Sequence, residues 1–143
     1  MDEDLRIMIA GGGTGGHLYP ALAIGAEIMN RKPNATVHYV GSKFGLEARV
    51  LPERGLPHTL LPISGLQRSF SPRSIGRNLM LVGRVPLALL KVRSLCRSMK
   101  PNVIVGTGGY ASALPVKVGI GWKIPTVIQE QNSYPGLTTR LFA

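Results

Sequence analysis

A short apolar run, Leu5-Arg6-Ile7-Met8-Ile9-Ala10, leads straight into Gly11-Gly12-Gly13-Thr14-Gly15-Gly16-His17, and this junction limits the possible folds more than any other stretch. The run reads as a buried strand. Beyond the glycines, Leu18, Leu22, Ile24, Ile28 and Met29 suit one face of a helix over Leu18 to Met29. Strand, glycine turn and helix start, in that order, make a βα unit suited to an anion. Glycines let the chain turn tightly and bring backbone N–H groups close to a ligand, with no Cβ in the way. The helix start aims its unpaired N–H groups and positive dipole end at the same place.

What the motif lacks narrows it further. Gly11, Gly13 and Gly16 satisfy G-x-G-x-x-G, the dinucleotide fingerprint. That fingerprint also needs an acid at the end of the second strand to hold a ribose. Here the strand expected over Ala35 to Val40 runs into Gly41-Ser42-Lys43, with no acid before Glu47. Gly11 and Gly16 also have P-loop spacing, but His17-Leu18 stand where Lys-Ser/Thr is required. That argues against a nucleoside-triphosphate site, and only part of the dinucleotide pattern is met. A histidine closing the loop can exchange a proton near neutral pH; capping or packing is the plainer role open to it.

The length of 143 residues predicts one domain with a real core, and 44% hydrophobic residues with eighteen glycines fit an α/β protein with tight turns. The single cysteine, Cys96, excludes a disulfide framework and offers no metal site. Asp2, Glu3 and Asp4 stand where a signal peptide would be positive, and no apolar run is long enough to span a bilayer, so a cytoplasmic location is expected. The net charge is +10, and between Arg54 and Gln129 every charged side chain is Lys or Arg. Such a field attracts polyanions: nucleic acid, an anionic membrane surface or a phosphorylated substrate. Sparse aromatics and the lack of a nucleic-acid motif argue against the first.

Taken in order, helix one ends near Asn30-Arg31-Lys32-Pro33, and Glu47 to Arg54 makes a short helix that Pro52 can break and Gly55 ends. His58 to Ile63 is a third strand whose proline favours an edge. After a loop from Ser64, Ser71-Pro72 opens a helix, and the pattern from Ile75 to Met99 is helical, with Gly83 and Pro86 predicting a kink or a break into two helices. Leu79, Met80, Leu81, Val82, Val85 and Leu87 make it apolar almost all round, flanked by Arg73, Arg77 and Arg84. Such a helix suits a membrane interface, or a core position from which arginines snorkel. Asn102 to Val105 is a fourth, buried parallel strand. It opens into a second glycine turn, Gly106-Thr107-Gly108-Gly109-Tyr110, ahead of a helix over Leu114 to Gly121. Tyr110 can stack on a ligand or pack at the helix start. Strand five, Thr126 to Ile128, delivers Gln129-Glu130-Gln131-Asn132 to the same edge, as a ligand contact or a solvated turn. Two glycine turns at the carboxyl ends of parallel strands can share one crevice. The last residues, Leu137 to Phe142, are helical in pattern and end without a cap, which reads as a cut.

Four motifs in this order carry a resemblance: Gly12-Gly13-Thr14-Gly15-Gly16-His17, Ile63-Ser64-Gly65-Leu66, Gly106-Thr107-Gly108-Gly109-Tyr110 and Glu130-Gln131-Asn132. The chain resembles the MurG family of bacterial peptidoglycan glycosyltransferases over essentially its whole length. The family moves N-acetylglucosamine from UDP-GlcNAc to undecaprenyl-pyrophosphoryl-MurNAc-pentapeptide (lipid I to lipid II) with inversion, in the service of cell-wall growth. The resemblance implies an α/β, Rossmann-like parallel sheet with helices on both faces: residues 1–143 as the acceptor-binding, N-terminal domain of a GT-B fold, without its UDP-sugar domain. This half alone is then expected to be inactive.

By the same resemblance, Gly12, Gly13 and the residues to Gly16, with Gly108, Gly109 and Tyr110, receive the acceptor pyrophosphate. Thr14, Gly15 and Gly16 also line the donor side, and Asn132, next to Gln131, bonds the GlcNAc. His17 is the base for the acceptor hydroxyl; Glu130 competes for that role but fits a structural one better. Arg73, Arg77, Leu79, Leu81 and Arg84 seat the enzyme on anionic lipid at the cytoplasmic face of the inner membrane. No cofactor, metal or nucleic acid is implied. Two other readings stay open: a binding module that captures lipid pyrophosphate without turnover, and a nucleotide-binding oxidoreductase domain.

Overall fold

The computed structural model describes residues 4–65 and 69–143. Along them run β1 (Arg6–Gly11), α1 (Gly15–Arg31), β2 (Thr36–Ser42), α2 (Glu47–Glu53), β3 (His58–Leu61), α3 (Pro72–Met99), β4 (Val103–Gly108), α4 (Tyr110–Gly121), β5 (Thr126–Ile128) and α5 (Leu137–Phe142). The strands form one sheet in the order β3-β2-β1-β4-β5, and every pairing is parallel. The expected α/β architecture is present, with helices on both faces of the sheet.

Side-chain alternation explains the layering. Successive residues of a strand point to opposite faces, and β1, in the middle, is apolar at both sets of positions. Ile7 and Ile9 join Val37, Tyr39 and Val105 against Leu18, Ala21 and Leu22 of α1 and Val50 and Leu51 of α2. Met8 and Ala10 join Val40, Leu61 and Ile104 against Ala88, Val92 and Cys96 of α3 and Val118 of α4. A strand covered on both faces reads as a continuous apolar run, as this one does.

Three expectations need correcting. The second glycine turn is shorter than its sequence: Gly106, Thr107 and Gly108 finish β4, and α4 begins at Tyr110, not Leu114. β3 stops at Leu61 because Pro62 has no N–H to extend the ladder, at the edge where a proline is tolerated. α3 is one continuous helix, which excludes the break at Gly83 or Pro86 that stood as the alternative to a kink. Pro86 leaves the carbonyl of Val82 without its helical donor, but Val82 is 68% exposed and water can take that place.

α3 is also two helices in character. Its later turns bury Ala88, Val92 and Cys96. Its earlier turns leave Leu79 68% and Met80 57% exposed, while Leu81 turns half inward onto the core. Met8→Ala should therefore lower unfolding stability by about 2–5 kcal/mol, the usual result of emptying a buried site. Leu79→Ala should change it by less than about 0.5 kcal/mol. Denaturant midpoints of the two variants measure the difference; equal losses would mean that the early part of α3 is packed after all.

Candidate functional site

In the order β3-β2-β1-β4-β5 the chain direction of winding reverses between β1 and β4. In open α/β sheets the crevice beyond the carboxyl ends of such a strand pair receives ligands. Here the turn after β1 (Gly12–Thr14), the turn after β4 (Gly109) and the residues after β5 meet at that place.

The two turns interlock. Gly12 donates its N–H to the carbonyl of Gly108 (3.4 Å), and Gly109, at φ +75°, lies so close that a Cβ there would collide with the carbonyl of Gly12. A Cβ on Gly108 would run into the imidazole of His17, so the turn after β4 is a notch for that ring. Nδ1 of His17 lies 3.0 Å from Oγ1 of Thr14. Its backbone carbonyl accepts from the hydroxyl of buried Thr107 (2.7 Å), which ties the first turn of α1 to β4. In the tautomer whose Nδ1–H donates to Thr14, Nε2 keeps its lone pair.

Gly15 and Gly16 open α1, so their N–H groups, with that of Thr14, have no partner among the described residues, as expected for a helix start. Gly13 differs. Its N–H donates to both carboxyl oxygens of Glu47, at 3.1 and 2.9 Å. Gly12 and Gly13 thus form the floor of the crevice, while the N–H groups of Thr14 to Gly16 are without a partner among the described residues, an arrangement able to bond an anion.

The residues after β5 close one side. Pro20 has no N–H to give to the carbonyl of Gly16, four residues back; Nε2 of Gln131 donates to it instead, at 2.7 Å. Glu130 is surrounded by donors. Oε1 accepts from the backbone N–H and side-chain amide of Asn132, both at 3.0 Å, and Oε2 accepts from the Gly136 N–H (2.9 Å) and the Thr139 hydroxyl (2.8 Å). A small pocket of about 210 Å³ lies here, bounded by His17, Gly109, Tyr110, Glu130, Leu137 and Thr139.

Tyr110 also walls a larger groove of about 610 Å³, lined by Phe44, Ser64, Gly65, Arg77, Met80 and Arg84. The size suits a small-molecule site. The Arg84 guanidinium lies 5.2 Å from the centre of the Phe44 ring. Burial pushes the Tyr110 hydroxyl above its ordinary pKa; a hydrogen bond with Ser42 opposes this, and the nearby Glu47 adds to it. Leu66, the end of the Ile63–Leu66 motif, lies outside the described residues.

Residues 7–143 match the model of the glycosyltransferase family 28 N-terminal domain. The chain belongs to glycosyltransferase family 28. It is 42% identical over 143 residues to the UDP-N-acetylglucosamine--N-acetylmuramyl-(pentapeptide) pyrophosphoryl-undecaprenol N-acetylglucosamine transferase of Christiangramia forsetii, covering 100% of this chain and 38% of that protein. To the transferase of the same name from Desulforudis audaxviator it is 46% identical over 139 residues, 97% of this chain and 36% of that protein. It therefore spans well under half the length of these curated relatives. The crystal structure of Acinetobacter baumannii MurG superposes with a TM-score of 0.71 at 24% identity, covering 96% of this chain and 37% of that one, and shares its fold.

In this family 28 domain the sequence reading located both glycine turns and the residues after β5, and the fold brings His17, Gly108, Gly109, Tyr110 and Glu130 around one pocket. Arg73 and Leu79 lie exposed on α3, away from it, whereas Arg77 and Arg84 face the larger groove. Two contributors were missed. Thr107 passed as part of a glycine motif, and Glu47 passed as a helix residue because it follows β2 too late for a ribose-binding acid. Only its position in space shows that Glu47 reaches the glycine turn.

The donors around Glu130 have a consequence for pH. Backbone bonds from Gly136 and Asn132, with the Thr139 hydroxyl, lower its pKa from 4.5 to about 2. A carboxyl depressed in the folded state adds stability above its unfolded pKa and loses it as pH falls through the folded one. The loop from Asn132 to Gly136 should therefore hold together through pH 4.5 and loosen only near pH 2. A side-chain NMR titration of Glu130, followed with the Gly136 amide, tests this; a midpoint near 4.5 would show that these bonds do not persist in solution.

Proposed function

We propose that this family 28 domain is the acceptor-binding half of a peptidoglycan-precursor N-acetylglucosaminyltransferase, working with a UDP-sugar-binding domain outside residues 1–143. The observation that carries the reading is the His17 imidazole, held at the switch point beside the N–H groups of Thr14, Gly15 and Gly16, which have no partner among the described residues. The curated relatives, named for transfer to an N-acetylmuramyl-(pentapeptide) pyrophosphoryl-undecaprenol, support it.

In this reading the acceptor pyrophosphate lies against the helix start and the Gly109 turn, with Tyr110 alongside. Nε2 of His17 takes the proton from the acceptor hydroxyl. That oxygen then forms its bond to the anomeric carbon of GlcNAc from the face opposite UDP, and the bond to UDP breaks with its electron pair leaving on the phosphate. Configuration inverts. Nδ1 bonded to Thr14 keeps the ring turned for this. Glu130, with a pKa near 2, is a poor base at neutral pH and serves to hold the loop. Gln131 fastens that loop to α1, and Asn132 stands at its rim for the donor sugar.

His17→Ala, in a two-domain transferase carrying this chain, should reduce turnover by about 10²–10⁴-fold, the usual contribution of a positioned base. The melting temperature should stay close to that of the unaltered protein. Turnover within twofold of normal would remove His17 from the chemistry.

The same reading places the protein at the cytoplasmic face of the inner membrane, as a peripheral protein. Among the described residues no helix is long and apolar enough to cross a membrane. The early turns of α3 offer exposed apolar side chains flanked by Arg73 and Arg77, the pattern of an interfacial helix. Cations near an anionic surface contribute about 1 kcal/mol each. Arg73→Glu with Arg77→Glu should therefore weaken sedimentation with phosphatidylglycerol vesicles by more than tenfold, and Leu79→Ser should weaken it less. Unchanged sedimentation of the double variant would refute the membrane face.

A further inference from the structure

Glu47 is completely buried at the first turn of α2, yet among the described residues no cation pairs with it. Its partners are backbone N–H groups. Oε1 accepts from Ser42 (2.7 Å) and Gly13 (3.1 Å), and Oε2 accepts from Gly13 (2.9 Å). The space around it is cleared from three sides, since a Cβ on Gly12, Gly41 or Gly45 would collide with the Glu47 side chain. An acid buried without a cation requires such bonds. Glycines on both the β1 and β2 turns leave room for this one group.

Gly13 is a residue whose N–H a ligand phosphate takes in an ordinary glycine-rich βα turn. Here it is occupied from inside the protein. The N–H groups of Thr14, Gly15 and Gly16, without a partner among the described residues, belong to the outer half of the turn. We propose that Glu47 is the positioning residue of this cradle: it holds the Gly13 N–H from within and so confines an anionic ligand to the N–H groups of Thr14 to Gly16, next to His17. This rests on the reading that the crevice takes a phosphate-bearing ligand. It adds which part of the turn receives it and why the inner part does not. A dinucleotide pyrophosphate lying over the inner glycines would meet a carboxyl group already in possession.

Amide NMR of this chain with inorganic pyrophosphate tests the proposal. In the wild type, the Thr14, Gly15 and Gly16 resonances should move on titration while Gly13 and Ser42 stay still. Glu47→Gln keeps the volume and one acceptor oxygen but turns an N–H₂ toward Gly13. Its Gly13 amide proton should move upfield before any ligand is added, and Gly13 should then join the response to pyrophosphate. A purely structural role predicts no such change in which amides respond. If Glu47→Gln does not fold, the wild-type titration decides alone: a still Gly13 supports the assignment, and a Gly13 that moves with Gly16 overturns it. An unaltered Gly13 resonance in folded Glu47→Gln, with a normal response at Gly16, overturns the role of Glu47 and leaves the anion site standing. A wild type in which no cradle amide responds overturns the anion site itself, and the steering role with it.

Discussion

Two backbones pass within touching distance at Gly12 and Gly109, and the geometry of the crevice depends on that approach. β1 and β4 are neighbours at the middle of the sheet, and both must turn away into helices at once. Neither turn has room for a side chain where they meet. The backbone of one closes on the carbonyl of the other, and the vacated space becomes the notch for His17. Because β1 is packed on both faces by α1, α2, α3 and α4, its carboxyl end is a fixed point, and the turn built on it inherits that rigidity.

Around this crossing the polar groups are matched one by one. Pro20 removes a helical donor from Gly16, and Gln131 replaces it from a loop more than a hundred residues later in the chain. Thr107 takes the carbonyl of His17, and Glu47 takes the N–H of Gly13. These three contacts come from the loops after β5 and β2 and from β4, so the segments at this end of the sheet hold one another. Among the described residues the N–H groups of this turn left unmet are those of Thr14 to Gly16. A site defined by the donors it leaves free is a consistent design for an anion, because donors used internally are unavailable to water and ligand alike.

Periodicity was enough to read the sheet and the first helix, since β1 is apolar at every position after Arg6 and α1 repeats at helical spacing. Glycine positions gave the edge of the sheet at which the candidate site lies. What could not be read was contact between distant residues. Glu47 looked like the opening of a short helix, and its reach into the Gly12–Gly13 turn depends on β2 lying beside β1 in register, Tyr39 opposite Ile9. The break that stood beside a kink as an alternative at Pro86 does not occur, for a different reason. A proline costs a helix one hydrogen bond, and where the orphaned carbonyl faces water the helix continues.

The two halves of α3 are best understood with the groove at its foot. A helix apolar almost all round should be buried, yet its buried apolar residues are confined to Ala88, Val92 and Cys96 on one face of the later turns. The early turns carry Arg77, Met80 and Arg84 to the wall of the 610 Å³ groove and leave Leu79 and Val82 outside it. The groove therefore has cations, Met80 and aromatic rings inside, while the exposed apolar side chains of the same turns lie outside its lining, and Tyr110 borders both it and the pocket of His17. A ligand with a sugar hydroxyl, a pyrophosphate and a long hydrocarbon tail presents the same sequence of chemistry. In the proposed reading the hydroxyl meets His17, the phosphates meet the helix start, and the tail leaves along α3 toward lipid. A soluble dinucleotide has no part that would use those outer apolar side chains, so the exposed half of α3 and the occupied Gly13 N–H argue in the same direction.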